Sequence, residues 1–510
     1  MPLHDGARLA KEQNIIIVSI QYRLGVMGFF GSAELAQEEP GPDPYFPESF
    51  AQKGRAWGNY GIRDAAAALQ WLQENVHRFG GDKDRVTAFG ESAGAILIHY
   101  LMLSPSVPGN LFHRAILQSG TATALPARSR ASAQAVFDYL IAELRPEFKS
   151  ATAEDQAATL RSISYDTLSK ALTKLGPPRR PRKEYWPGPG RQAARTMDAP
   201  VKAVNVWAPI WDGVMVSSDY RELLEAGFSS TNGNGKDGLI LGWTVDEGSI
   251  FSFMTSSPAA LREQFSGFHP AHQAEVSRTY RADRCSTDAE ALAIASAVTG
   301  DAMLLCGILR TTHSLAANTS APPTRAYSFG LRPSLQFLNA STPCAELFEE
   351  LFGCLHTAEI PHVFGFDATE PHTRQSDGGY GVPVDAPFAP APRTRSSMTR
   401  EEIELSQFVM QAWGAFVRGE DDKLWPEVRS GKSRELREIP VMTLGDSAAI
   451  GDPRGCVSSK AHTTRMGDLA LWDSKIVRDG PSLQERYDLW GKVGTFSLEY
   501  YGSRDYREPL

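Results

Sequence analysis

The stretch Val86-Thr87-Ala88-Phe89-Gly90-Glu91-Ser92-Ala93-Gly94-Ala95-Ile96-Leu97-Ile98 decides the reading of this chain. A short β-prone run enters a GxSxG pentapeptide at residues 90–94, and an apolar helical run leaves it. A sharp strand-to-helix turn forces unusual backbone angles on its central serine. Flanking glycines remove the Cβ atoms that would crowd such a turn. The hydroxyl of Ser92 then stands near a helix N-terminus, whose dipole favours developing negative charge. A chance GxSxG lacks flanks of this kind, so Ser92 is a candidate nucleophile.

Working outward, strands alternate with helices. Apolar residues Ile62, Ala66, Leu69, Leu72, Val76 and Phe79 recur every three or four positions and predict an amphipathic helix. Strands are expected at 85–89, 113–118, 237–243 and 326–331, and helices at 93–102 and 131–145. A capping box, Thr399-x-x-Glu402, opens a helix carrying Leu405, Val409, Trp413 and Phe416. The run NIIIVSI at 14–20 reads as a buried parallel strand. Residues 32–56, 176–191 and 366–397 read as loops. The alternation predicts an α/β fold with a mostly parallel sheet covered on both faces. No linker divides the chain, so one large domain over 1–510 is expected.

Composition narrows the function. The 510 residues are 42% hydrophobic and 22% charged, which fits a globular protein. The net charge of −8 lacks the basic excess of phosphate-backbone binders, so nucleic acid is not an expected partner. No run reaches about 18 apolar residues, so no membrane span is expected. Five cysteines without CxxC spacing argue against a zinc cage. Cys285 with Cys306, and Cys344 with Cys354, are candidate disulfide pairs. Two sequons, at Asn318 and Asn339, lean toward secretion, yet no signal peptide opens the chain. Localisation is cytoplasmic unless a longer product carries a leader.

A serine nucleophile needs a base, and the base needs an orienting carboxylate. Elbow folds carry them in the order Ser, acid, His. The acid follows a strand at Asp246-Glu247-Gly248-Ser249. Seven histidines lie beyond Glu247, and spacing alone does not choose among them. Ser119, after another strand, is either a second nucleophile or a hydrogen-bonding neighbour of the acid. Glu91 adds negative field beside Ser92.

The chain resembles the type-B carboxylesterases, a family of lipases, cholinesterases and the non-catalytic neuroligins. The resemblance rests on Tyr22-Arg-Leu-Gly25, Gly58-Asn-Tyr-Gly61, Phe79-Gly-Gly-Asp82, Phe89-Gly-Glu-Ser-Ala-Gly94, Gln118-Ser-Gly120 and Asp212-Gly213. Asp246-Glu-Gly-Ser249, Gly353-Cys-Leu-His-Thr-Ala-Glu359 and Trp425-Pro426 extend it over nearly the whole chain. It implies an α/β-hydrolase fold and hydrolysis of small-molecule carboxylic esters without metal or organic cofactor. It also implies Ser92 as nucleophile, Glu247 as acid and His356 as base, against the rivals Asp246 and His362. Glu359 is expected to be structural. The backbone N–H of Ala93 is the implied oxyanion donor. The HGGG-type donors of the family have no counterpart here, and their place falls before Met1. The expectation is therefore an N-terminally incomplete esterase lacking its first strands. The alternative is a poorly active or non-catalytic interaction protein, as in the neuroligins.

Overall fold

The computed structural model describes residues 4–37, 57–124, 127–144, 152–174, 207–216, 232–252, 257–266, 270–331, 353–365, 398, 400–420, 425–428, 439–445, 461–465 and 481–493. The expected loops at 176–191 and 366–397, most of 32–56, and Cys344, Cys456 and Thr399 lie outside them.

Six strands form one sheet: β1 (Thr87–Glu91), β2 (Arg114–Gln118), β3 (Gly238–Thr244), β4 (Thr324–Phe329), β5 (Pro440–Leu444) and β6 (Ala461–Arg465). They lie side by side in chain order. β1 to β5 are parallel, and β6 runs antiparallel to β5. Parallel neighbours need long crossovers, and helices provide them. α1 (Tyr60–Asn75) precedes the sheet and α2 (Ala93–Leu103) joins β1 to β2. α3 (Asp288–Gly300) and α4 (Cys306–Ala317) lie between β3 and β4. α5 (Arg400–Arg418) lies between β4 and β5, and α6 (Leu483–Val493) follows β6.

Successive strand residues point to opposite faces, so each strand feeds two cores. Ala115, Leu117, Leu239, Leu241 and Trp243 pack with residues of α1, α2 and α4. Their neighbours Ile116 and Ile240 join Tyr327, Phe329 and the apolar face of α5 on the other side. The two-sided burial explains why β3 is apolar almost throughout. The fold is the α/β class that the alternation predicts, with strand ends displaced by one or two residues.

Three expectations change. Residues 14–20 are not a strand. The segment is extended with alternate side chains turned outward, and Ile16 and Val18 are each 44% exposed. Among the described residues no ladder partner meets its backbone, and a strand exists only through its partner. Cys285, Cys306 and Cys354 are free thiols, so the Cys285–Cys306 pairing does not form. The third change concerns apolar length. α3, a π-helical turn at Asp301–Leu305 and α4 join into one helix, Asp288–Ala317, of 30 residues. By length and composition it is long and apolar enough to cross a membrane, although 78% of its most apolar stretch is buried inside the protein. The polar breaks Thr299, Asp301 and Arg310 hide this helix in the sequence, and all three are themselves buried.

Candidate active site

β1 ends where the chain must turn sharply into α2. Ser92 caps that helix with φ 55° and ψ −119°, outside the regions L-residues favour. Its N–H donates to Gln118 O at 2.8 Å, so the β1–β2 ladder runs into the turn. A Cβ on Gly90 would meet the Gly94 carbonyl carbon at 2.8 Å, and one on Gly120 would meet Ser92 O at 2.4 Å. A Cβ on Gly94 would meet no atom of the described residues within 4 Å. Crowding thus demands glycine at 90 and 120 but not at 94. Ala93 is exposed and opens α2, where first-turn N–H groups have no helical acceptor.

The acid loop follows β3. Asp246 and Glu247 are neighbours in sequence but have different partners. Asp246 Oδ2 accepts from Cys354 N at 2.8 Å, and Asp246 N–H donates to Cys354 O at 3.2 Å. Asp246 therefore fastens the histidine loop through its backbone. Glu247 is buried; its Oε1 accepts from Thr244 N at 2.9 Å, and its Oε2 lies 2.6 Å from His356 Nδ1. The structure brings Glu247, rather than Asp246, to this histidine.

His356 lies within a turn that enters through Gly353 at φ 54°. The other ring nitrogen, Nε2, is 3.0 Å from Glu91 Oε1, an ion-pair contact without the alignment of a hydrogen bond. Phe251 covers the ring, with centroids 5.4 Å apart. Burial alone would push the imidazole down. The carboxylates of Glu91, Glu247 and Glu359, with the Glu247 hydrogen bond, outweigh burial and lift it to about 9. Burial drives the Glu91 carboxyl up to about 8, with His356 opposing and Glu359 and Glu247 adding.

His362 does not reach this cluster. It is fully buried against Phe329, with ring centroids 5.1 Å apart, and burial outweighs nearby Glu402 to push it down to about 4. It is neutral at physiological pH. Glu359 Oε1 accepts from Gln118 Nε2 at 3.2 Å and from Tyr327 hydroxyl at 3.4 Å. Burial first, then Glu247, raises its carboxyl to about 6. Ser119 is fully buried at φ 51°, and its hydroxyl makes no hydrogen bond among the described residues. No group of three or more His, Cys, Asp or Glu among the described residues is arranged to hold a metal ion.

Sequence reasoning missed the contact of Glu91 with His356. Its one local signal was its place beside Ser92, which implies a field but not a partner.

Comparison with known proteins identifies the family of the chain and several of its relatives. The model of the carboxylesterase family matches residues 46–444. Human cocaine esterase is 42% identical over 134 residues, 26% of this chain and 20% of that protein. Pig liver carboxylesterase is 44% identical over 121 residues, 24% of this chain and 18% of that protein. Para-nitrobenzyl esterase of Bacillus subtilis is 35% identical over 174 residues, 34% of this chain and 30% of that protein. The matched stretches thus span less than a third of the length of each of these relatives.

Proposed function

The chain belongs to the carboxylesterase family, and from that premise we propose that it hydrolyses small-molecule carboxylic esters through an acyl-serine on Ser92. One observation carries the reading: Glu247 Oε2 lies 2.6 Å from His356 Nδ1. A carboxylate there keeps the proton on Nδ1 and leaves Nε2 to act as base.

In this reading Nε2 takes the hydroxyl proton as Ser92 Oγ bonds to the ester carbonyl carbon. The carbonyl π electrons move onto oxygen, which the Ala93 N–H stabilises. The carbon–oxygen bond to the alcohol then breaks, and Nε2 returns its proton to the leaving oxygen. Water repeats the sequence, and the carboxylic acid departs. General base action supplies about 10²–10⁴-fold. An oxyanion donor supplies about 10²–10³-fold. The whole 510-residue chain acts as one catalytic domain.

The test is hydrolysis of short- and medium-chain p-nitrophenyl esters by the purified chain, with Ser92→Ala as blank. Turnover that disappears in the variant supports the reading. Turnover that survives in the variant sinks the nucleophile. Folded protein without turnover favours a binding role on the same fold.

A further inference from the structure

The proposed reaction needs a free lone pair on His356 Nε2 directed at Ser92. The structure has that atom 3.0 Å from Glu91 Oε1, and the Ser92 side chain makes no capping hydrogen bond to its helix. The imidazole therefore lies between two carboxylates, Glu247 on Nδ1 and Glu91 on Nε2. A neutral imidazole has one N–H and satisfies only one of them, leaving its lone pair against the other carboxylate. An imidazolium keeps the Glu247 hydrogen bond and is attracted as a cation to Glu91 as well.

We propose that Glu91 is a positioning residue that holds His356 as a charged, resting imidazolium by pairing with Nε2, and so sets the pH at which Ser92 gains a base. The inference rests on the roles assigned above to Ser92 and His356. Loss of the shared proton leaves two electron-rich atoms face to face. Nε2 is then driven from Glu91 and becomes free to accept the proton of the Ser92 hydroxyl.

The surrounding charges act in the same direction. Glu91 comes from the end of β1, Glu247 from the loop after β3, and Glu359 from the histidine turn itself. Tyr327 on β4 meets Glu359, Tyr22 feels Glu91, and Asp246 binds the backbone two residues before His356. Gln118 and Phe251 are neutral. Among the described residues, no lysine or arginine figures in the electrostatics of His356, Glu91 or Glu359. The upward displacement of His356 agrees with this geometry.

The test uses the full chain, with Glu91→Gln and the shorter, still charged Glu91→Asp. Two quantities are read. One is the acid limb of kcat/KM against pH on p-nitrophenyl butyrate. The other is the NMR titration midpoint of His356 in ¹⁵N-histidine-labelled protein, assigned with His356→Gln. Removing an opposite charge at this range moves a group by about 1–3 pH units. Both midpoints should fall by that amount in Glu91→Gln, raising turnover on the acid side of the wild-type limb about tenfold per unit. Glu91→Asp should fall between. Unchanged midpoints in Glu91→Gln overturn the inference while leaving the esterase reading intact. An NMR shift in a chain with no turnover supports the resting pair and overturns the esterase reading instead. If Glu91→Gln fails to fold, an unchanged midpoint in Glu91→Asp overturns the inference and a lowered one supports it.

Discussion

Replacing Arg486 by methionine should destabilise the protein by about 3–5 kcal/mol, the usual consequence of orphaning a buried charge. Arg486 on α6 forks onto Asp301 in the π-helical turn between α3 and α4. Nε meets Oδ2 at 2.5 Å, and Nη2 meets Oδ1. Their side chains are 3% and 1% exposed. Tyr280 hydroxyl donates to Asp301, and Trp490 Nε1 donates to that hydroxyl at 2.6 Å. Methionine keeps most of the arginine volume, so the loss is chiefly electrostatic. Asp301 would remain buried, with Tyr280 as its remaining side-chain donor among these contacts. The double variant Arg486→Met/Asp301→Leu removes both charges and should regain most of the loss, because apolar replacements of buried pairs are often neutral or better. The assay is a double-mutant cycle by urea unfolding, followed by tryptophan fluorescence. A single-variant loss below about 1 kcal/mol would refute the reasoning, since that is the range of solvent-exposed pairs. So would a double variant no more stable than Arg486→Met, because the loss would then come from packing.

Other outcomes follow from the site. His356→Gln should remove ester turnover, whereas His362→Leu should retain it, because His362 is an uncharged core residue packed on Phe329, while His356 is the histidine hydrogen-bonded to Glu247; equal losses in the two assays would contradict this. Gly90→Ala should lower both folding yield and activity, because its Cβ meets backbone at 2.8 Å, while Gly94→Ala should behave like wild type. Stability should fall as pH rises from 6.5 to 9. Glu91 and His356 titrate near 8 and 9 in the folded chain against ordinary values of 4.5 and 6.5. The folded state therefore holds the extra protons in that window, and their contribution is lost as pH passes through the folded values. His99 and His362, lowered to about 3 and 4, act in the opposite direction only below 6.5. Melting temperatures across this range, with Glu91→Gln flattening the decline, check the sign.

Much of the fold was legible because its signals are local. The 3.6-residue period of α1, the apolar runs of β2 and β3, and the GxSxG between a strand and a helix each act within about ten residues. They establish the α/β alternation and present Ser92 at a strand-to-helix turn. The same locality explains the failure at 14–20. An apolar run states a preference for burial, but a strand needs a ladder partner, and pairing is a property of the whole sheet.

Residue type and spacing left the choices between neighbours open; the resemblance implied Glu247 and His356, and only tertiary structure gives the contacts that separate them from Asp246 and His362. Asp246 and Glu247 are adjacent carboxylates on one loop, and composition does not separate them. The turn directs one to the Cys354 backbone and the other to His356, 109 residues away. His356 and His362 differ because one is held among carboxylates and the other against Phe329. The pairing of Glu91 with Nε2 joins the first strand of the sheet to a turn beyond β4, and no local rule specifies it. Sequence alone determined which chemical groups this chain carries and the elements that bear them. Packing decided which groups meet, because contacts across a sheet depend on strand order, register and the burial of charge, none of which is encoded in a short stretch of residues.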